Sequence, residues 1–230
     1  MAKCRNHKRI SLMNNKGTTL VEMLVCFVLL AIFLVAAFSI ITHIASLYYQ
    51  VKGETYGKQV SDIILEKAQA EIEGAKLDGD AILFGEGKTE GAADNTAGSN
   101  ITLYDKTNTK VMLFADELSD TCSDVVFKIH YYEFTNEEGK TNANTWKFDK
   151  NVYNGYQISE LKFIRGGSLN DGTNQALANS YGINDTTGYG NDVVVILLKL
   201  HSERYGDYKS YRFVRMYNYK APAPATPENP

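Results

Sequence analysis

The residue whose chemistry most needs an explanation is Glu22, a single carboxylate near the start of a long apolar run, NKGTTLVEMLVCFVLLAIFLVAAF from position 15. A carboxylate in hydrocarbon is costly, so it needs a partner or a position at the interface. One partner is local, because TLVE at 19–22 fits a capping box, in which the Thr19 side chain caps the helix and Glu22 bonds back to the backbone. The other partner is an amine, which would form an ion pair. The residue types alone leave both explanations open.

The apolar run predicts a helix that crosses a membrane. Residues 23–41 are all apolar or small except Ser39, their single strongly polar member. In a helix they span about 28 Å, close to the thickness of the hydrocarbon core of a bilayer. A removable secretory signal shares the basic start, but its apolar part is shorter, and the segment THIAS after residue 41 is a poor cleavage site. The run therefore favours a retained span.

Charge orients this span and limits the partners of the rest of the chain. The positive-inside rule places the basic N-terminus in the cytoplasm and residues beyond about 45 outside, as a single pass through the cytoplasmic membrane. The 230 residues have a formal net charge of −3, but from Thr18 onward 27 acidic residues oppose 19 basic ones, a net −8. An acidic exterior disfavours nonspecific binding to nucleic acid. The basic residues of the N-terminus are Lys3, Arg5, Lys8, Arg9 and Lys16.

The string KGTTLVEMLVCFVLLAIF resembles the N-terminal signature of type IV pilins and of the pilin-like subunits of type II secretion and competence machines. The resemblance implies a basic leader, Met1–Gly17, that a prepilin peptidase removes by cutting after Gly17. It further implies that Thr18 becomes the N-methylated mature N-terminus and that Glu22, the fifth mature residue, pairs with that amine on a neighbouring subunit. Thr18 and Glu22 are four residues apart on a helix, so the pair can also form within one chain.

The departures from that family's pattern narrow the prediction. The mature N-terminus is Thr18 where a major pilin commonly has Phe or Met, and residues 23–41 contain neither Gly nor Pro. A disulfide-closed C-terminal loop is not available, because Cys4 leaves with the leader, Cys26 lies in the apolar run and Cys122 has no second cysteine beside it. These features favour a minor pilin or pseudopilin. The partners implied are the prepilin peptidase, other pilin or pseudopilin subunits and the assembly platform in the membrane.

A helical pattern continues beyond the apolar run and predicts one helix from about Thr19 to Ala75. Gly53 and Gly57 would each cost about 1 kcal/mol relative to Ala in a helix interior, and they predict a bend, with close packing as the alternative. The predicted buried positions are Val60, Ile63, Ile64, Ala68, Ile72 and Ala75. The predicted organisation is a leader at 1–17, a hydrophobic helix at 18–47, its amphipathic continuation at 48–76, an extracellular head at 77–220 and a proline-rich disordered tail at 221–230.

The head shows the two-residue period of strands, which predicts an α+β fold with the long helix packed on an antiparallel sheet. Seven segments carry that period: AILF, ITLY, KVMLFA, VVFKIHYYEF, ISELKFIR, VVVILLKLH and YKSYRFVRMY. The face of the sixth formed by Val194, Ile196, Leu198 and Leu200 is expected to contact the helix. Residues 204–207 predict a hairpin between the last two strands. Segments 85–100 and 166–192, rich in turn residues, predict surface loops.

Motifs of the common hydrolases, metalloproteases and phosphate-binding loops are absent from the sequence, so we predict that the chain is not an enzyme and uses no cofactor. No metal site is predicted. The segment 166–192 does contain oxygen ligands of the kind that calcium prefers, with Asp185 and Asp192 as weak candidates, but their spacing matches no EF-hand loop. Turns rich in Asn and Asp are also common without metal.

Basic and aromatic residues alternate near the C-terminus in a pattern that could hold a nucleic-acid backbone and stack its bases. The candidates for DNA contact are Arg204, Lys209, Tyr211, Arg212 and Arg215. The same residue types form protein interfaces and ordinary edge strands, which is the favoured explanation. The function predicted is a structural filament subunit, anchored in the membrane and then assembled at the cell surface through its N-terminal helix. The alternatives are a DNA-binding minor pilin and an uncleaved single-pass surface protein.

Overall fold

A computed structural model describes residues 19–75, 77–78, 82–91, 95–105, 109–119, 121–133, 142–217 and 219–220. The chain divides into two compact units, Met1–Tyr48 and Tyr49–Pro230. The predicted leader at 1–17, its cleavage point and the predicted tail at 221–230 lie outside the described residues.

The first helix, α1, extends from Leu20 to Glu73 and confirms the predicted helix to within two residues at each end. In the first unit its side chains are exposed nearly throughout, including the large apolar ones. By length and composition α1 could cross a membrane. Leu, Val, Ile and Phe therefore lie on all sides of the helix in this part. A surface helix of a water-soluble domain would instead carry polar residues on the face opposite the core.

In the second unit α1 buries one face. Val60, Ile64, Ala68 and Ile72 are fully buried at four-residue steps, as predicted. Leu65 joins them, whereas Ile63, predicted to be buried, is 40% exposed. At about 100° per residue, Leu65 lies two turns before Ile72 and hence on the buried arc of the helix, whereas Ile63 lies outside that arc. The apolar pattern alone therefore placed Ile63 wrongly.

The described strands build the head around this helix face. Their bounds are β1 Leu77–Asp78, β2 Leu83–Gly85, β3 Ala97–Gly98, β4 Asn100–Tyr104, β5 Lys110–Ser119, β6 Cys122–Glu133, β7 Asn142–Lys147, β8 Gln157–Arg165, β9 Val193–Ser202, β10 Gly206–Arg215 and β11 Tyr219–Lys220. One antiparallel sheet has the order β2-β4-β5-β6-β7 and another β10-β9-β8-β3, while β1 and β11 pair in parallel. The α+β architecture with antiparallel sheets is confirmed, and all seven predicted strands are present.

Strand β9 is buried on both faces, and this corrects the prediction of a surface loop at 166–192. As predicted, Val194, Ile196, Leu198 and Leu200 belong to the same buried cluster as the helix face. The opposite face, with Val195 as its centre, belongs to a second cluster. Segment 166–192 covers that face with a 3-10 helix, Gly166–Ser168, and a short helix α2, Gly172–Ser180. Its buried apolar residues are Leu169, Ala178, Tyr181 and Ile183.

Segment 85–100 also departs from the predicted loop, because it contains β3, which pairs with β8 through Ala97 and Gly98. The predicted hairpin is confirmed: β9 and β10 pair antiparallel, with Gly206 opposite Ser202 and the turn at 203–205. Gly206 has φ +81°, a conformation that glycine adopts without strain.

Candidate functional site

The start of α1 shows how the chain folds around Glu22. The backbone N–H of Glu22 donates to Thr19 Oγ1 at 3.3 Å, and the N–H of Met23 donates to the Thr19 carbonyl at 3.1 Å. Thr19 is thus the N-cap, as the capping box predicts. The Glu22 side chain is exposed, and the described residues contain no ion-pair partner for it. Gly17 and Thr18 lie outside the described residues.

Beyond this cap the apolar surface of the first unit is the largest exposed hydrophobic feature of the described chain. Phe27, Phe33 and Val35 are each more than half exposed, with similar neighbours along the helix to Tyr48. An apolar surface of this extent is stable only in contact with lipid or with other protein. A carboxylate at one end of such a surface needs a partner once the surface is covered, since an unpaired charge there is costly.

The five DNA-contact candidates do not form one surface. Strand β10 is an edge strand in its sheet, and alternation along it places Lys209, Tyr211 and Arg215 on one face and Arg212 on the other. Arg204 lies in the β9–β10 turn, where its guanidinium stacks over the ring of Tyr205 with 5.4 Å to the centroid.

The cationic side chains of β10 are already bonded to other groups of the protein. Arg212 donates to Gln69 Oε1 at 3.1 Å and lies 3.7 Å from Asp62 Oδ1, so it links the strand to α1. Lys209 donates to the Ser180 carbonyl at 2.9 Å, and Arg215 pairs with Asp192 at 2.9 Å. Paired cations have less to gain from a phosphate than free ones. DNA binding stays a prediction that these contacts do not favour.

The calcium candidates are likewise engaged by the protein. Asp185 Oδ1 accepts bonds from the Thr187 hydroxyl at 2.7 Å and from the Thr187 N–H at 3.0 Å, and these bonds lower the pKa of Asp185. Asp192 pairs with Arg215. Within the described ranges, no three His, Cys, Asp or Glu side chains come together as a metal site.

The sequence analysis missed a polar tie between α1 and the five-stranded sheet. Tyr131 donates to Glu71 Oε1 at 2.8 Å, and Lys67 pairs with the same carboxylate at 2.6 Å while lying over the Trp146 ring. Burial and the Glu71 carboxylate raise the pKa of Tyr131. Only the i, i+4 spacing of Lys67 and Glu71 was visible beforehand, because β7, which carries Trp146, has no clear strand period.

Comparison with known proteins adds one finding at the N-terminus. The family model for the prokaryotic N-terminal methylation motif matches residues 12–38, a segment that includes the cap at Thr19, Glu22 and the first part of the exposed apolar helix. No curated protein and no solved structure matches the chain. The matched motif points to a structural subunit and to no enzyme family. The chain therefore carries a type IV pilin-like prepilin signature, joined to an α+β head.

Proposed function

We propose that this protein is a subunit of a type IV pilin-like filament, of the minor pilin or pseudopilin kind. The observation that carries the proposal is the coincidence of the methylation motif at 12–38 with a helix that exposes its apolar side chains from Leu20 onward. A prepilin motif implies processing by a prepilin peptidase and assembly with other pilins. The head supplies its own core, so the apolar helix is free to contact lipid and then neighbouring subunits.

In the proposed pathway the chain is inserted with its N-terminus in the cytoplasm and its head outside. The peptidase cuts between Gly17 and Thr18, and the new amino group of Thr18 is methylated. The membrane assembly platform then transfers the helix from lipid into a filament core. Both environments are apolar, so the transfer costs little hydrophobic free energy and is decided by packing and by the Glu22 pair.

We propose that Glu22 pairs with the Thr18 amine of a neighbouring subunit during assembly. The N-cap bond at Glu22 uses its backbone N–H and leaves the carboxylate free for this pair. The repeated contact of one surface patch with a different patch on the next copy does not close on itself, so the assembly grows as a filament.

The first test is the mass of the N-terminal peptide of the protein recovered from its native cells, from membranes and from sheared surface material. A peptide that begins at Thr18 and carries one added methyl group is expected. An intact Met1 leader in every fraction would overturn the filament proposal and favour the uncleaved single-pass surface protein.

The second test is Glu22→Gln, with Glu66→Gln as the matched control. Gln keeps the size and the capping ability of Glu but cannot form an ion pair, so processing is expected to continue while the sheared fraction falls at least tenfold, the effect of losing about 1.4 kcal/mol per contact. Glu66 is an exposed glutamate of the same helix, and its variant is expected to assemble normally. Normal assembly of the Glu22→Gln variant would show that Glu22 acts only in capping the helix.

A further inference from the structure

The two larger sheets of the head end in four edge strands, β2, β3, β7 and β10, and β7 lacks the features that protect the other three. An edge strand presents unpaired N–H and C=O groups at every second residue. Proteins protect such edges by keeping them short, by placing charges on them or by covering them. An edge strand with none of these features is open to pairing with another strand.

The edges at β2, β3 and β10 are protected. Strands β2 and β3 have three and two residues, and they lie against each other, because a Cβ at Gly98 would clash with the Gly85 carbonyl. Strand β10 is longer, but four of its ten residues carry a charge, which opposes pairing with a further strand. These charged residues are Asp207, Lys209, Arg212 and Arg215.

Strand β7 is different. Its six residues, Asn142–Lys147, include no proline and a single charged side chain, that of Lys147 at its end. In the part of the chain that the structure describes, β6 is the one strand paired with it. Trp146 is half-buried and lies opposite the buried Ile129 of β6, so it faces the core, whereas Thr145 and Lys147 are exposed on the opposite face.

A second copy of β7 fits this edge when the two strands run antiparallel with Thr145 opposite Thr145. Residues directly opposite in an antiparallel pair point to the same side, so the core faces of both sheets match in this register. Each Lys147 then lies opposite the uncharged Ala143. The two Lys147 residues are about 14 Å apart along the strands, which exceeds the screening length of about 8 Å at physiological salt. The register therefore brings no like charges together, and a Thr–Thr pair across strands is favourable.

We propose that β7 is an interaction surface for β7 of a second copy of this chain. The two five-stranded sheets join there into one antiparallel sheet, about a two-fold axis at Thr145. Such a contact is isologous and closes on itself, so it pairs two subunits and does not extend a filament. It goes beyond the proposed function, because it is a contact of the head and requires neither cleavage, methylation nor Glu22.

The first test is a cross-link at Thr145→Cys in the full chain, in detergent micelles, with the native cysteines Cys4, Cys26 and Cys122 replaced. The Cα atoms of directly opposite residues in an antiparallel pair are about 4.5–5.5 Å apart, within the range of a disulfide. Mild oxidation is therefore expected to give a covalent dimer. The matched control is Lys209→Cys, at an exposed position of the charged edge strand β10, which is expected to stay monomeric.

The second test uses charge at the self-opposed position. Thr145→Lys and Thr145→Asp each place like charges opposite each other, so each variant alone is expected to form a dimer about fivefold weaker than the unmodified chain. An equal mixture places Lys opposite Asp and is expected to restore pairing. Dimer formation is measured by energy transfer between chains labelled at Cys122. Both variants lose the bond of Thr145 to His130, so recovery in the mixture cannot come from a difference in folding.

Absence of the Thr145→Cys dimer would overturn the proposal, as would equal cross-linking of Lys209→Cys. Equal pairing of the two charged variants alone and in mixture would also overturn it. In native membranes, a cross-link of Thr145→Cys to a different protein and none to a second copy would overturn the choice of partner. N-terminal processing and release of sheared filaments are expected to continue in Thr145→Lys, so failure of this proposal and failure of the filament proposal are distinguishable.

Discussion

Helix α1 has one backbone conformation and two different environments. In the first unit, residues 20–48 expose apolar side chains around the whole helix, with Ile32 63% exposed. In the second unit, residues 49–73 bury one stripe against the sheets, with Ile64 fully buried. The same residue type therefore serves two purposes. In one part it is exposed along the whole helix, and in the other it belongs to a core that the chain completes by itself.

The difference lies in the sequence pattern and not in helix propensity. Residues 20–48 contain a single Asp, Glu, Lys or Arg, which is Glu22, whereas residues 49–73 contain eight, most of them outside the buried stripe. An all-apolar helix is insoluble by itself and a striped helix is stable only on a matching surface. This predicts that substitutions in the second part lower the stability of the head and that substitutions in the first part do not.

The largest effect expected is that of Ile64→Ala. The side chain is fully buried, so truncation loses transfer free energy and leaves a cavity, and the free energy of unfolding should fall by about 2–5 kcal/mol. The measurement is urea unfolding of the chain in detergent micelles, followed through the fluorescence of Trp146, the single tryptophan of the sequence. Ile32→Ala is the matched control. A comparable loss in the free energy of unfolding of that variant would contradict the difference between the two parts of α1.

A smaller loss is expected for Gly57→Ala. A Cβ at this position would lie 2.6 Å from Tyr208 Cγ, closer than real Cβ contacts allow, so the hairpin must shift. Overpacking should lower the free energy of unfolding by about 1–3 kcal/mol, against a gain of about 1 kcal/mol in helix propensity. Close packing, the alternative to a predicted bend, is thus what the structure shows at Gly57.

The control for that variant is Thr55→Ala in the same turn, where the side chain is exposed and a neutral or slightly stabilising change is expected. Replacing Tyr208 with Ser in the Gly57→Ala background should recover part of the loss. An unchanged unfolding midpoint in Gly57→Ala alone would show that the glycine is not needed for close approach.

Alkaline pH should act on the head and leave the apolar helix intact. Burial raises the pKa of Tyr153 to about 12, and its hydroxyl accepts a bond from the Phe127 N–H at 2.7 Å. The unfolded chain loses this proton near pH 10. The stability contributed by neutral Tyr153 is therefore complete below pH 10 and is lost between pH 10 and 12, at about 1.4 kcal/mol per pH unit.

The measurement is the free energy of unfolding across that range for the unmodified chain and for Tyr153→Phe. The variant should be less stable by about 1 kcal/mol at pH 8, because the Phe127 N–H loses its acceptor, and its stability should fall less steeply above pH 10. Tyr211→Phe, at an exposed position, is expected to follow the unmodified chain. Parallel pH curves for all three would contradict the assignment.

The smallest effect expected is that of Arg212→Ala, which removes the contacts with Gln69 and Asp62 on α1. Partly exposed pairs of this kind contribute below about 1 kcal/mol. A gel shift of the chain with DNA, as a function of salt, should be the same for Arg212→Ala and for the unmodified protein. A gel shift that is weaker and less dependent on salt in the variant would support the DNA-binding alternative. It would also contradict a purely structural role for Arg212 in linking β10 to α1.

The sequence pattern was sufficient for several parts of the fold. The buried helix positions Val60, Ile64, Ala68 and Ile72 followed from the helical period, and the inner face of β9 from the strand period. Thr19 was identified as a cap from its spacing to Glu22. These predictions depend on the period of side chains within one helix or strand, so they require no knowledge of the elements packed against it.

The predictions that failed depended on partners distant in sequence. Segment 166–192 was expected to be a loop because it is rich in Gly, Asn and Asp, yet its few apolar residues cover the outer face of β9. The alternation of basic and aromatic residues near the C-terminus left DNA contact open as an alternative, and the pleat of β10 places Arg212 on the face opposite Lys209 and Arg215.

By itself, the sequence determined the N-terminal signature, the apolar helix and the position of Glu22, because each depends on residues within a few helical turns of one another. The tertiary structure decided which side chains contact one another. It paired Arg212 with Asp62, placed Tyr208 against Gly57 and brought Lys150 and Arg204 to one cavity. Such contacts join segments more than fifty residues apart in sequence, and their register is set by how both sheets pack on the helix, which no local pattern records.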